Sequence, residues 1–188
     1  YNPDFYNSEG EPNMKLEGKK AIVTGGSRGI GKAVALMFAK EGADILVNDL
    51  VYDDAVKETV AEIEKMGRRA IGVAADVADY TSAQDMVHEC VKQLGGVDIL
   101  VNNAGISRPS MLLKMKEEDW DAVVAVHLKA AFNTTQAAGG YMKEQRYGKI
   151  INVISTAGLF GTIGQINYAA AKAGIIGFTK SASRELGR

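Results

Sequence analysis

An α/β fold is predicted by the sequence: a doubly wound parallel sheet with helices on both faces. Three observations carry that prediction. From Lys20 onward, short apolar runs alternate with amphipathic stretches, as expected of buried strands joined by crossover helices. A glycine-rich turn, Gly25-Gly26-Ser27-Arg28-Gly29-Ile30-Gly31, directly follows the first apolar run, Ala21 to Thr24. An acidic residue, Asp49, ends the second run, Asp44 to Asn48, 18 positions beyond Gly31.

The elements follow in order. After the glycines, Ile30, Val34, Met37 and Phe38 fall at i, i+4, i+7 and i+8, the spacing of an apolar helix face. Residues 53 to 66 read as a second helix with Asp53 as its cap, Val56, Val60 and Ile63 inward, and Gly67 as its stop. The third strand spans Ala70 to Ala75 and leads into Asp76-Val77. Residues 81 to 94 form a helix with Ala83, Val87, Cys90, Val91 and Leu94 on one face; His88 lies off it and is solvated. Gly95-Gly96 ends this helix, and Val97 to Val101 is the fourth strand, delivering Asn102-Asn103-Ala104-Gly105. Beyond a connector at 112 to 116, a long helix runs from Asp119 to Gly139 with Trp120 in the core. Lys149 to Ile154 is the fifth strand, delivering Ser155, and the last helix runs from about Gln165 to Leu186.

Composition narrows the function classes. The 188 residues suit one domain, and 46% hydrophobic with 24% charged residues is ordinary for a globular protein. A formal net charge of −1 gives no electrostatic reason to expect nucleic acid or an anionic membrane as partner. The single cysteine, Cys90, excludes an internal disulfide and a multi-cysteine zinc site, suits a reducing cytoplasm, and reads as a small core residue. No apolar run reaches the ~20 residues of a membrane span. Residues 1–13 carry Asp4, Glu9, Glu11 and two prolines without a period. They read as a flexible extension before a dinucleotide-binding domain over residues 14–188, with a start at Met14 and no secretory signal.

The glycine turn has a chemical use. Between a buried strand and a helix, glycines let the backbone approach a ligand and aim unpaired N–H groups at it, which suits a pyrophosphate. Gly25, Ser27, Arg28, Gly29, Ile30 and Gly31 are the candidate residues; the alternative is a tight turn that binds nothing. An acid placed as Asp49 is accepts hydrogen bonds from adenosine ribose hydroxyls and repels a 2′-phosphate, which favours NAD. Arg28 pulls toward NADP, because a guanidinium pairs with that phosphate. Asp76 is placed to accept from an adenine amino group, with Val77 beside it. Asn103, Ala104 and Gly105 stand at the carboxyl end of the fourth strand, where open parallel sheets bind ligands. Asparagines there tie strands together while Ala104 and Gly105 leave room for a flat cofactor, or the stretch is simply an Asn-rich turn.

The most specific chemistry lies in Tyr168-Ala169-Ala170-Ala171-Lys172, with Ser155 thirteen residues upstream. Residues four apart share a helix face. A phenol ionises near pH ~10. An ammonium ~4 Å away favours the phenolate by up to ~4 kcal/mol at an effective dielectric of ~20, before screening reduces it. That shift moves a tyrosine toward the range where general acid–base catalysis works, while a serine hydroxyl holds the substrate oxygen. Tyr-x-x-x-Lys alone is a weak motif, common by chance on solvated helices.

With those pieces in place, the chain resembles the short-chain dehydrogenase/reductases from about Leu16 to Arg188. The resemblance rests on Thr24-Gly25-x-x-x-Gly29-Ile30-Gly31, Asp76-Val77, Asn102-Asn103-Ala104-Gly105, Ser155 and Tyr168-x-x-x-Lys172. Residues 167 to 174 and the sequel to Leu186 look most like 3-oxoacyl-(acyl-carrier-protein) reductases. The resemblance implies a Rossmann-type sheet and hydride transfer between a nicotinamide and a carbonyl or secondary alcohol, without a metal. Ser155 would orient the oxygen, Tyr168 exchange the proton, and Lys172 assist the phenol and bind the nicotinamide ribose. It also implies a small-molecule or acyl-thioester substrate and a homodimer or homotetramer through the alanine-rich long helices. The reaction would be reduction of a 3-oxoacyl thioester or the reverse oxidation. A sugar, steroid or cyclic alcohol dehydrogenase, or a non-catalytic dinucleotide-binding module, are the alternatives.

Two departures from the family stand out. Where it usually places an asparagine supporting a relay water, this chain has His127, which can hold the same water, alter the relay or simply pack. The family normally continues with two further strands and a substrate-covering segment, so these C-terminal strands are expected to be missing and the fifth strand to form an edge.

Overall fold

The computed structural model describes residues 14–187, so the expected extension over residues 1–13 lies outside the described residues. Five strands form one parallel sheet: β1 (Lys20–Val23), β2 (Asp44–Asp49), β3 (Ala70–Ala74), β4 (Ile99–Asn102) and β5 (Lys149–Asn152), in the order β3-β2-β1-β4-β5. The strand order reverses direction at β1, leaving a crevice between β1 and β4 at their carboxyl ends. The helices are α1 (Gly29–Lys40), α2 (Asp54–Lys65), α3 (Tyr80–Leu94), α4 (Glu117–Val124), α5 (Ala130–Glu144), α6 (Ala157–Phe160) and α7 (Ile166–Leu186).

Alternation along the strands builds two apolar layers. Ile22, Leu46 and Leu100 face α3 and α5, meeting Met86, Val87, Cys90, Leu94, Ala138 and Met142. Ala21, Val23, Ile45, Val47, Ile99 and Val101 face the other way, against Ala35 and Ala39 of α1 and Val56 and Ile63 of α2. The central strands are therefore buried on both sides, which is why they read as continuous apolar runs. Asp53 caps α2, accepting from the Ala55 and Val56 N–H groups at 3.1 and 3.3 Å. Gly95, at φ 90°, closes α3 in the left-handed conformation.

Several local expectations are corrected. The buried face of α1 centres on Gly31, Ala35 and Ala39, leaving Ile30 and Met37 exposed and Val34 and Phe38 at the margin. Small residues let this helix sit close to the sheet, and apolar size alone misjudged which side faced in. Trp120 is exposed rather than in the core. The long helix is not uniform: α4 and α5 are joined by a π-helical turn over Ala125–Lys129. The one-turn helix α6 was not foreseen. The fourth and fifth strands span Ile99–Asn102 and Lys149–Asn152 rather than residues 97–101 and 149–154. Before β4 the chain is held by Asp98, whose carboxylate accepts from the Lys20 N–H at 2.9 Å. Among the described strands β5 pairs only with β4, with Lys149 and Ile151 exposed at the edge.

Gly31 makes the tightest backbone contact of the turn. A Cβ there would overlap the Gly25 carbonyl oxygen and stand 2.6 Å from Asn103 Nδ2. Gly31→Ala is expected to destabilise the fold by more than the ~1–3 kcal/mol of ordinary overpacking, read as a lowered denaturant midpoint. An unchanged midpoint would contradict this packing.

Candidate active site

The crevice is assembled by polar side chains at the ends of β1 and β4. Thr24 is buried, and its Oγ donates to the Val101 carbonyl at 3.2 Å while accepting from the Asn103 and Ala104 N–H groups at 3.0 Å each. Asn103 Nδ2 donates back to the Thr24 and Gly25 carbonyls at 3.0 and 3.1 Å. Asn102 reaches the opposite way, donating to Asn152 Oδ1 at 2.8 Å and accepting from Thr134 Oγ at 2.6 Å. The expectation that these asparagines tie strands together is thus realised. Thr24 heads the glycine motif in the sequence, and its role as the acceptor at the centre emerges only from these contacts.

The glycine turn fits an anionic ligand. Gly25 and Gly29 sit at φ 59° and 52°, left-handed conformations that glycine adopts without steric cost. The first turn of α1 has no side-chain cap and no acidic residue, so its N–H groups and the helix dipole remain available to a pyrophosphate. A Cβ on Gly29 would meet nothing within 4 Å, so the turn faces open space. Ile30 is exposed on the same turn. Ser27, in contrast, is buried, and its hydroxyl donates to Asp49 Oδ2, orienting that carboxylate.

The charges anticipated as rivals form one cluster. Arg28 Nη2 donates to Asp53 Oδ2, and Nη1 lies 3.8 Å from Asp49 Oδ2. The hydrogen bond from Arg28 holds the Asp53 carboxyl below its ordinary range, and Asp53 in turn raises the guanidinium. Asp53 therefore serves twice, as helix cap and as partner of Arg28. Nearby, Asp76 is exposed, one carboxylate oxygen accepting from the Ala78 N–H at 2.9 Å, and Val77 is buried beneath the same turn.

At the other end of the crevice, α7 carries Tyr168 half-buried and Lys172 only 4% exposed. Lys172 Nζ donates to the Val153 carbonyl at 2.5 Å and lies 5.6 Å from the centre of the Tyr168 ring. Val153 stands two residues before Ser155, so one hydrogen bond fastens the lysine to the segment that carries the serine. Ser155 Oγ accepts from the Ala157 N–H at 3.2 Å at the start of α6. A Cβ on Gly158 would lie 2.8–2.9 Å from atoms of Lys172 and Ala173, so glycine is what lets α6 reach α7. Burial pushes the Lys172 ammonium below its ordinary pKa.

His127, in the π turn, is buried with its ring edge-on to Tyr168, at 5.1 Å between centroids and 87° between planes. Its Nε2 lies 2.9 Å from the Ile106 carbonyl oxygen and 3.2 Å from the Ile106 nitrogen, while Nδ1 is buried without a partner among the described residues. Burial lowers the imidazole pKa; the Ile106 hydrogen bond opposes this, and the Lys172 charge adds to it. A Cβ on Gly105 would collide with the His127 ring. On that side, then, Gly105 makes room for His127, where room for a flat cofactor was expected. Thr24, Ala104, His127 and Lys172 also line a cavity of about 10 Å³, the scale of one water. A groove of about 790 Å³ beside β5 and the end of α7 contains none of the candidate site residues. The described residues contain no metal-binding cluster.

The sheet and its crevice are those of a dinucleotide-binding fold, and the chain belongs to the short chain dehydrogenase family, whose model matches residues 19–188. Members are nicotinamide-dependent oxidoreductases. Among curated relatives, the chain is 46% identical over 173 residues to 3-oxoacyl-[acyl-carrier-protein] reductase FabG of Thermotoga maritima, covering 92% of this chain and 70% of that protein. It is 47% identical, with the same coverage, to the protein of that name from Staphylococcus aureus. Among solved structures, a short chain dehydrogenase from Mycobacterium avium superposes with TM-score 0.88 at 42% identity, over 92% of this chain and 64% of that one. An NAD+-bound xylitol dehydrogenase superposes with TM-score 0.88 at 30% identity, over 92% and 66%.

The lowered pKa of His127 has a sign in the stability of the fold. The unfolded imidazole titrates near ~6.5 and the folded one lower, so between those values the unfolded state binds more protons. Stability is therefore expected to fall as pH drops through ~6.5 and to level off below the folded pKa. Denaturant midpoints measured across that range should show a shallower acid slope in His127→Asn; parallel slopes would reject the assignment.

Proposed function

We propose that this protein transfers hydride between NAD(H) and a 3-oxoacyl or 3-hydroxyacyl thioester. The observation that carries the catalytic reading is Lys172: a buried ammonium, forming no ion pair among the described residues, one helical turn from Tyr168 and tethered beside Ser155. Burying a cation against a neutral carbonyl costs stability, and functional sites are where such costs are retained.

The bound nicotinamide supplies or accepts the hydride; the chain's own groups place the substrate and move the proton. The Ser155 hydroxyl donates to the substrate oxygen. Tyr168 gives that oxygen its proton in reduction and removes it in oxidation. Lys172 stabilises the resulting phenolate and reaches the nicotinamide ribose hydroxyls. His127 braces the Tyr168 ring and, through Nδ1, is suited to hold a relay water. The N–H groups of residues 29 to 31 take the pyrophosphate, Asp49 the adenosine ribose, and Asp76-Val77 the adenine.

Asp49 and Asp53 together support NAD over NADP. A 2′-phosphate would meet two carboxylates and an Arg28 already engaged by both. The thioester reading is supported by the names of the two curated relatives, and the xylitol dehydrogenase keeps a polyol or other alcohol as the second reading. Residues 14–188 would form the dinucleotide-binding domain of a cytoplasmic homodimer or homotetramer built through the long helices. No described helix is long and apolar enough to cross a membrane.

Mixing the protein with acetoacetyl-CoA and NADH, then NADPH, and following reduced-nicotinamide absorbance tests the proposal. Turnover is expected with NADH favoured by ~10-fold or more, since a mispaired phosphate forfeits at least ~1.4 kcal/mol. Tyr168→Phe is expected to lower kcat by ~100-fold or more, the range of a lost general acid. Turnover that survives Tyr168→Phe would overturn the catalytic assignment, and preference for NADPH the cofactor assignment. Xylitol oxidation without thioester turnover would favour the second reading; cofactor binding with no turnover of any carbonyl would leave a non-catalytic module.

A further inference from the structure

We infer that Asn133, a buried α5 residue outside the crevice, is a positioning residue that sets the adenine end of the cofactor site. The inference rests on the proposed roles of Asp76 and Val77 in holding adenine.

Asn133 is fully buried, and its Nδ2 donates to the Val77 and Ala78 carbonyls at 3.0 and 3.2 Å. Those carbonyls belong to the turn between β3 and α3 that displays Asp76. Each side of the turn is anchored separately. On the β3 side, the Ala75 N–H donates to the Asp49 carbonyl at 3.0 Å and Asn48 Nδ2 donates to the Ala75 carbonyl at 3.1 Å. On the α3 side, Asn133 holds the turn itself, while the Tyr80 hydroxyl, on the first residue of α3, donates to Gln136 Oε1 of α5 at 2.6 Å. Asp76 lies between the two, exposed, with its own carboxylate folded onto the Ala78 N–H at 2.9 Å.

Two neighbouring carbonyls converging on one side chain demand a group with two hydrogens, and a primary amide supplies both. An aspartate would set a carboxylate against two carbonyl oxygens, and an alanine would leave both without this donor. Asn133 Oδ1 has no partner among the described residues, so the side chain is retained for its nitrogen at some cost in burial. The next residue extends the pattern: Thr134 donates to Asn102 Oδ1 at 2.6 Å. Successive α5 side chains therefore grip the β3 turn and the end of β4, fixing the span between the adenine contact and the glycine turn that Asn103 holds.

The test measures ADP-ribose and NADH binding by calorimetry for Asn133→Ala, Asn133→Asp and Asp76→Ala, with kcat at saturating NADH and melting temperature. Cys90→Ala, in the same α3–α5 core, serves as a control for lost stability alone. Asn133→Ala and Asn133→Asp are expected to weaken both ligands by the same factor, about tenfold, while kcat changes by less than about twofold and Cys90→Ala leaves affinity unaltered. If the alanine variant does not fold, Asn133→Ser, which keeps one donor, is expected to give a smaller loss in the same direction. Unaltered ADP-ribose affinity in the Asn133 variants, with a loss in Asp76→Ala, would overturn this inference alone. Unaltered affinity in all of them would overturn the adenine reading and the inference with it. An equal loss in Cys90→Ala would reduce Asn133 to a structural role.

Discussion

The joint between β1 and β4 is the constraint on which the rest depends. Parallel strands splay beyond their last ladder hydrogen bond, and past the Thr24 N–H to Val101 carbonyl bond of 3.0 Å it is side chains that hold these two ends together. Thr24 and Asn103 supply them, five hydrogen bonds of 3.0–3.2 Å running between the ends of the two strands. The Gly25 carbonyl is held by one of them, so the glycine turn inherits its position from β4 as much as from β1. A buried network of this kind specifies geometry because each member loses a partner if any member moves. That rigidity is what a site for a flat, charged cofactor requires.

The long helical segment from α4 through α5 acts as a second organiser. Its π turn inserts His127 against Gly105, Ile106 and Tyr168, while Asn133 reaches the loop after β3 and Thr134 the last residue of β4. A regular helix would rotate these side chains by a different amount, and π turns occur often where a helix serves a site. The loops of the crevice rim are thus measured against one rigid rod. Loops usually vary most in a fold, and tying two of them to a helix removes much of that freedom.

Electrostatics divide the crevice into two unlike ends. At one end, the exposed Arg28 folds onto Asp53 and Asp49, a solvent-screened arrangement worth little to stability. At the other end, Lys172 is buried beside an imidazole whose pKa burial lowers. A second cation there would raise the cost of both. Separating an exposed, ion-paired end from one with a single buried cation follows from burial, since charge interactions strengthen as water is excluded.

Much of the site was readable from residue types alone. The apolar runs specified the sheet because strands buried on both faces admit little else, and Tyr168 and Lys172 share a face because helical spacing is local. Asp53 as a cap and Cys90 as core follow from equally local rules. What the tertiary structure decided depends on pairs far apart in the chain: Arg28 engaged by Asp53, Ser27 turned inward onto Asp49, Gly105 yielding its space to His127, and Asn133 gripping the β3 turn. The exposure of Trp120 and the small-residue face of α1 belong with them. Periodicity reports which side of an element is apolar, whereas distance of approach and choice of partner emerge only when separate elements pack together.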